Sequence, residues 1–375
     1  MSAVTDVHTG AVTVLGTGSY LPERVVTNKE IEALVPNASA DWIERRTGIL
    51  ERRYAHPDQA ASDLAVHAAR GALADSGLDA GDLDYIIVAT TTGDAPIPAT
   101  AALVQRALGA RRAACFDINA ACTGFITGLS IARGYVALEP AAKVLVIGAD
   151  VWSRFVDFGD RATSVLFGDG AGAAVVGGPG PALAVGDADA DRAVGDADAD
   201  ADRADADRGD IGARRGLLDV ELASHGDVHE LIDLPAGGSR RPPSAQTLAE
   251  GGHALRMQGR AVREFVLENV PDLLAGLLNR CGHKPCDVDH FVPHQANGVL
   301  VAELAEAGGL AGAQTHLSLR HSGNIGAASV PVALDQANRS GAVRDGDLVL
   351  LAGFGAGMSA GAALLRWTAT AGGPR

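Results

Sequence analysis

Asp82-Leu-Asp-Tyr-Ile-Ile-Val-Ala89 is echoed in the second part of the chain by Asp287-Val-Asp-His-Phe-Val-Pro-His294. Each is a short apolar run entered through an Asp-x-Asp turn, the pattern of a strand with a defined start. A second pair follows in the same order, Lys143-Val-Leu-Val-Ile-Gly-Ala-Asp150 and Asp347-Leu-Val-Leu-Leu-Ala-Gly-Phe354. These runs are continuously apolar rather than alternating, which suits strands covered on both faces. Helical patterns separate them, over Ala60 to Asp75, Thr100 to Leu108, Gly124 to Leu138, Leu255 to Arg280 and Ala327 to Arg339. Alternating strand and helix with an internal duplication predicts an α/β protein of two similar halves packed together.

One shift in composition divides the halves. The run GDADADRAVGDADADADRADADRGD, Gly186 to Asp210, carries ten Asp, three Arg and no aromatic residue. With nothing to bury it predicts a solvated, disordered loop, and it sets the domains at 1–185 and 211–375. Its Asp spacing invites calcium, but a loop starting at Asp196 has Ala201 where the turn glycine belongs and Asp207 where the bidentate Glu belongs. No metal site is expected there. The run supplies seven of the fifteen net negative charges, ten minus three, and leaves −8 for the remainder.

The 375 residues are 47% hydrophobic and 21% charged, enough for a sizeable core. An acidic chain works against phosphate-backbone attraction, so nucleic acid is not expected as a partner. Cys115, Cys122, Cys281 and Cys286 form no C-x-x-C pair, which fits a reducing cytoplasm and gives no zinc cluster. Met1 to Gly10 lacks the basic and apolar pattern of a signal peptide, and no run approaches ~18 uninterrupted apolar residues. A cytoplasmic protein without a membrane partner is the expectation.

Three segments could carry chemistry. In Asp117-Ile-Asn-Ala-Ala-Cys-Thr-Gly-Phe125 a strand end passes through small residues into a helix that begins near Cys122. A cysteine there sees the positive end of the helix dipole, which favours the thiolate. It could equally be a small buried apolar residue, and local sequence leaves the two readings level. Cys115, inside an apolar segment, reads as core. His294 ends a predicted strand in Val292-Pro-His-Gln-Ala-Asn297, in the place corresponding to that of Cys122, and strand ends are where α/β sheets hold ligands. Asn324, in His321-Ser-Gly-Asn-Ile-Gly-Ala-Ala328, would alone be read as a turn residue. The glycine strings Phe167 to Gly172 and Gly353 to Gly357 match neither a dinucleotide fingerprint nor a phosphate loop, so NAD and ATP are not indicated.

The strings DWIERRTGI (Asp41 to Ile49), DINAACTGF (Asp117 to Phe125), FGDGAGAAV (Phe167 to Val175), VPHQAN (Val292 to Asn297), HSGNIGAASVPVALD (His321 to Asp335) and GFGAGMSAG (Gly353 to Gly361) resemble, in order, the β-ketoacyl-acyl-carrier-protein synthase III family of the thiolase superfamily. The resemblance implies the thiolase fold, two duplicated α/β halves in a layered αβαβα sandwich. It implies Cys122 as the acyl-accepting nucleophile, His294 and Asn324 as its partners, and an oxyanion hole from Cys122 and Ala356. Trp42, Arg46 and Arg161 would contact CoA, Ile97 would lie at the acyl pocket, and the chain would be a homodimer. The implied reaction condenses an acyl-CoA primer with malonyl-acyl-carrier protein, starting fatty-acid or polyketide synthesis. CoA thioester is then substrate, and no cofactor is needed.

Two positions depart from the family's pattern. Val299 stands where a basic residue often faces the acidic carrier, leaving that task to residues such as Arg260 and Arg263, and Ile97 stands where Phe is common, suggesting an altered primer size. Two rivals share the site: acyl transfer from Cys122 to a small-molecule hydroxyl or amine, and a catalytically silent binding subunit. Asn324 beside His294 favours condensation, because simple acyl transfer has no enolate to stabilise.

Overall fold

The computed structural model describes residues 11–178, 215–370 and 372. The Asp-rich run at 186–210, and the domain boundaries set beside it, lie outside the described residues. The strands in chain order are β1 (Thr13–Tyr20), β2 (Arg24–Thr27), β3 (Glu51–Tyr54), β4 (Tyr85–Ala89), β5 (Ala114–Ile118), β6 (Lys143–Val151), β7 (Asp169–Gly177), β8 (Gly216–Ser224), β9 (Ile232–Asp233), β10 (Arg256–Met257), β11 (His290–Pro293), β12 (Gln314–Thr315), β13 (Leu348–Gly355) and β14 (Ser359–Arg366).

Ten of these build two sheets with the same order, β5-β4-β6-β7-β1 and β12-β11-β13-β14-β8. In each, the first three strands run parallel and the last two antiparallel. The Asp-x-Asp turns explain the shared register. Asp82 and Asp287 each accept the N–H three residues before them, at 2.9 and 2.8 Å, closing the turn that enters the strand. Asp84 and Asp289 then accept the first amide of the neighbouring strand, Lys143 at 2.9 Å and Leu348 at 2.8 Å. The same side-chain chemistry starts both sheets.

Alternate residues of the continuously apolar strands face opposite layers. Ile87, Val146, Val349 and Leu351 point inward onto Phe125, Leu129, Val330 and Leu334 of two central helices, Gly124–Leu138 and Ser329–Arg339. Ile86, Val88 and Ile147 point outward onto helices Ala61–Ser76 and Thr100–Leu108, while Leu348 and Leu350 face helices Gly259–Arg280 and Gly298–Ala307. The result is the five-layered αβαβα sandwich. Residues Ala121–Leu138 are long and apolar enough to cross a membrane by composition alone, yet this segment is the central helix between the sheets. Two predicted helices begin later than their sequence pattern: Arg256 and Met257 pair with β9 before the helix at Gly259, and Gly326–Ala328 form a separate turn before Ser329.

Candidate active site

Cys122 lies on a 3₁₀ turn, Ala121–Thr123, between β5 and the central helix. Ala121 has φ +44°, a left-handed conformation that a side chain with a Cβ rarely adopts, and Met358 on the facing turn has the same φ. Strain of this kind persists where the surroundings over-determine it, commonly at functional sites. The end of β13 presses directly on the cysteine. A Cβ on Gly355 would stand 2.8 Å from Cys122 Cβ, 3.0 Å from Sγ and 3.1 Å from its backbone N. Gly355 is extended, at φ 178°, so glycine is required for room rather than for conformation. Ala356 follows it at the start of the turn Ala356–Met358.

His294 is the first residue after β11, and its N–H donates to Ala352 O of β13 at 2.7 Å. Its ring meets Phe354 edge to face, centroids 5.2 Å apart. Gln295 fixes the segment: its amide donates to Pro293 O and His316 O and accepts from the Ser318 N–H at 3.0 Å. The imidazole is buried and its Nδ1 has no hydrogen-bond partner among the described residues. Burial lowers its pKa to about 3, so His294 is a neutral ring that donates one N–H.

Asn324 is held on both backbone sides, its N–H donating to Leu166 O at 2.8 Å and its carbonyl accepting from Gly168 N–H at 2.9 Å. Its side-chain Oδ1 accepts the Gly326 N–H at 3.0 Å, which commits the oxygen and leaves the Nδ2 protons to donate. The structure brings these three segments together. His294 is tied to β13, β13 ends against Cys122, and the turn after Asn324 packs on the Cys122 turn, with Ala327 Cβ 3.6 Å from where a side chain on Gly124 would begin.

The helix N-terminus is present, but burial pushes the Cys122 thiol up, and the Asp150 carboxylate pushes it further. Both shifts favour the thiol and the neutral imidazole over a thiolate–imidazolium pair. Asp150 has no role in the sequence reading, where it merely ends an apolar strand. Cys115 is only partly buried, on the edge strand β5 against the outer helical layer.

Trp42 and Arg161 are brought together away from this centre, the Arg161 guanidinium stacking 5.1 Å from the indole centroid and donating to Asn37 O. Arg46 follows Trp42 by one turn on the helix Ala40–Thr47, whose cap is Ser39. A groove of about 550 Å³ runs from this helix to the start of helix Gly298–Ala307, passing Glu44, Arg45, Val299 and Glu303. Ile97 is 83% exposed on the surface of the single chain. Arg260 and Arg263 are not free cations. Arg263 grips both oxygens of Glu303, at 2.7 and 2.8 Å, and Arg260 pairs with Glu264.

Family models described as 3-oxoacyl-[acyl-carrier-protein] synthase III match residues 116–190, and its C-terminal part residues 278–367. The chain is 44% identical over 354 residues to the acetoacetyl CoA synthase NphT7 of Streptomyces sp. strain CL190, covering 94% of this chain and 98% of that one. It is 40% identical to the β-ketoacyl-acyl-carrier-protein synthase III of Caldanaerobacter subterraneus, covering 96% and 98%. The crystal structure of the Aquifex aeolicus synthase III superposes with TM-score 0.78 at 35% identity, covering 95% and 100%. That of the priming β-ketosynthase of the R1128 polyketide pathway gives 0.80 at 33%, covering 96% and 97%. Fold and site define a thiolase-fold condensing enzyme, an acyltransferase. The chain belongs to the β-ketoacyl-acyl-carrier-protein synthase III family.

Proposed function

We propose that Cys122 accepts the acyl group of an acyl-CoA primer and that His294 and Asn324 stabilise the enolate formed when a malonyl thioester loses CO2. The Cys122 sulfur attacks the thioester carbonyl, the C–S bond to CoA breaks, and CoA leaves as the thiol with the proton from Cys122. The oxyanion of this step lies between the backbone amides of Cys122 and Ala356. The malonyl C–COO bond then breaks, and its electron pair becomes the enolate. That carbon attacks the acyl-Cys122 carbonyl, forming the C–C bond and expelling the Cys122 thiolate, which regains a proton. The electron pair comes from decarboxylation, so the residues needed are hydrogen-bond donors rather than a strong base.

The observation that carries this reading is the setting of the two donors: the His294 ring is buried, which favours its neutral form, and Asn324 Oδ1 is already occupied by the Gly326 N–H. The test separates the half-reactions. In His294→Ala and Asn324→Ala, labelled acyl-CoA is expected to acylate Cys122 near the wild-type rate, while CO2 release from malonyl thioester falls by about 10²–10³-fold. Acylation without CO2 release in the wild type would instead support acyl transfer to a hydroxyl or amine.

Trp42, Arg46 and Arg161 fit a CoA nucleotide, with the indole offering a stacking face and the guanidinium groups phosphate contacts. Trp42→Ala is expected to raise KM for acyl-CoA about tenfold with little change in kcat. Equal falls in kcat and kcat/KM would refute that placement.

A homodimer is supported by β5, the open edge of the first sheet. Asp117 on β5 caps helix Thr100–Leu108 at the Thr100 and Ala101 amides, which anchors the Ile97 loop to that edge. An acyl-pocket role for Ile97 would then be exerted toward a second copy.

The malonyl carrier has two readings. Carrier protein is the family's partner, but helix Gly298–Ala307 presents Val299, Glu303 and Glu306 to the groove, and Arg263 is engaged by Glu303. That surface offers an acidic carrier protein little free positive charge, and the relative named an acetoacetyl CoA synthase favours a malonyl unit carried on CoA. Comparing kcat/KM for malonyl-CoA and malonyl-carrier protein decides between them.

A further inference from the structure

Asp150 is fully buried at the end of β6, and among the described residues no cationic side chain pairs with it. Its two oxygens are divided. Oδ1 accepts from Thr90 Oγ1 at 3.2 Å, the Thr91 N–H at 3.0 Å, the Thr92 N–H at 3.3 Å and Thr92 Oγ1 at 2.8 Å. Oδ2 accepts the Ala327 N–H at 2.8 Å, from the other half of the molecule. The neighbouring amide, Gly326 N–H, is the one that occupies Asn324 Oδ1. A Cβ on Gly326 would stand 2.2 Å from Asp150 Oδ2 and 2.3 Å from Trp152 Nε1, and its φ of +57° is itself left-handed. The turn is thus glycine for both reasons, to let the carboxylate reach it and to form at all.

An unpaired buried carboxylate is costly unless hydrogen bonds compensate it; here four donors from Thr90, Thr91 and Thr92 fix Oδ1 within the first half, and the Ala327 N–H on Oδ2 ties a turn of the other half to the same strand end. We infer that Asp150 is the positioning residue that fixes the Asn324 amide, by anchoring the turn whose preceding N–H selects which end of that amide faces the substrate. It acts through Asn324 and does not touch the reacting atoms, and the inference rests on the reading of Asn324 as the enolate's donor. The same charge faces the nucleophile side, where it opposes ionisation of Cys122.

Asp150→Asn keeps the shape but must turn an NH2 toward either the Ala327 N–H or the Thr91 and Thr92 amides, where a donor meets a donor. In the full-length protein, CO2 release from malonyl-CoA is expected to fall about 10²-fold, the scale of a misplacement near 1 Å, while Cys122 acylation by acetyl-CoA stays within about threefold. Alkylation of Cys122 by iodoacetamide at fixed neutral pH should become faster, because a neighbouring negative charge is gone; a merely structural residue would not speed it. On an Asn324→Ala background, Asp150→Asn should cost nothing further in CO2 release.

If Asp150→Asn does not fold, Thr90→Val carries the same expectation at smaller scale. It removes one donor to Oδ1 and leaves Thr92 N–H its bond to Asp150, so CO2 release should fall about threefold to tenfold with acylation unchanged. Equal falls in both half-reactions, or no fall in CO2 release, overturn the inference. If Asn324→Ala itself leaves CO2 release intact, the reading of Asn324 and this inference fail together; if Asn324→Ala lowers it and Asp150→Asn does not, the inference alone fails.

Discussion

Cys122→Ala is expected to lower turnover by more than about 10⁴-fold and to give no acyl adduct on the intact protein by mass spectrometry. The methyl group replaces the sulfur without crowding the Gly355 backbone, so the fold and the CoA contacts should be retained and acyl-CoA should still bind. The wild-type acylation rate carries a second expectation in its pH dependence. With the thiol pushed above its ordinary range by burial and Asp150, the thiolate fraction climbs tenfold per pH unit up to and beyond about pH 9, and log rate should climb with it. His294, neutral above about 3, adds no acidic limb between about pH 5 and 8. A rate plateau beginning below about pH 7 would mean a thiolate–imidazolium pair, and would sink the neutral resting state derived from the geometry.

Much of the fold was legible because its signals are local. The Asp-x-Asp turns that pointed to duplicated strands in the sequence proved to be the groups that set register in both sheets, through Asp84 on Lys143 and Asp289 on Leu348. Where an element depends on a distant partner, the sequence pattern misled. Arg256 and Met257 extend a helical periodicity but pair with Ile232 and Asp233, and the two-residue β12 is held by pairing with β11 and by the Gln314 N–H on Asp289 O. At the site, Cys122, His294 and Asn324 stand inside recognisable strings. Asp150 does not: a carboxylate closing an apolar run looks like any strand boundary, and its purpose emerges only when Ala327 arrives from the other half. The helix N-terminus just after Cys122 could be read from small residues, whereas the desolvation that opposes its dipole could not. Arg263 illustrates the same limit on a surface, since the sequence shows a cation and the structure shows Glu303 already holding it.

Gly355→Ala is expected to reduce Cys122 acylation by about 10³-fold or more while leaving the protein folded. The added carbon would sit 3.0 Å from Sγ and 2.8 Å from Cys122 Cβ, inside the ~3.5–4.0 Å at which non-bonded carbon contacts are comfortable. Either the thiol turns away from the acyl group or the Ala356 amide moves off the oxyanion, and loss of one such donor alone costs about 10²–10³-fold. The extended backbone of Gly355 and its pairing with Ser359 tolerate a Cβ, so the melting temperature should fall only by what the Cys122 turn must give to relieve the contacts at 2.8 and 3.1 Å. Gly353→Ala supplies the graded control: its Cβ would meet Thr123 Cα at 3.1 Å and Cys122 O at 3.2 Å, not Sγ. It should therefore cost less in acylation than Gly355→Ala, and no more in melting temperature, since its contacts begin at 3.1 Å rather than 2.8 Å. Stopped-flow release of CoA from a chromogenic or fluorescent acyl-CoA, with thermal melts on the same samples, measures both. A Gly355→Ala enzyme that acylates at the wild-type rate would show that β13 does not form the wall of the nucleophile site, and would remove Ala356 from the oxyanion hole.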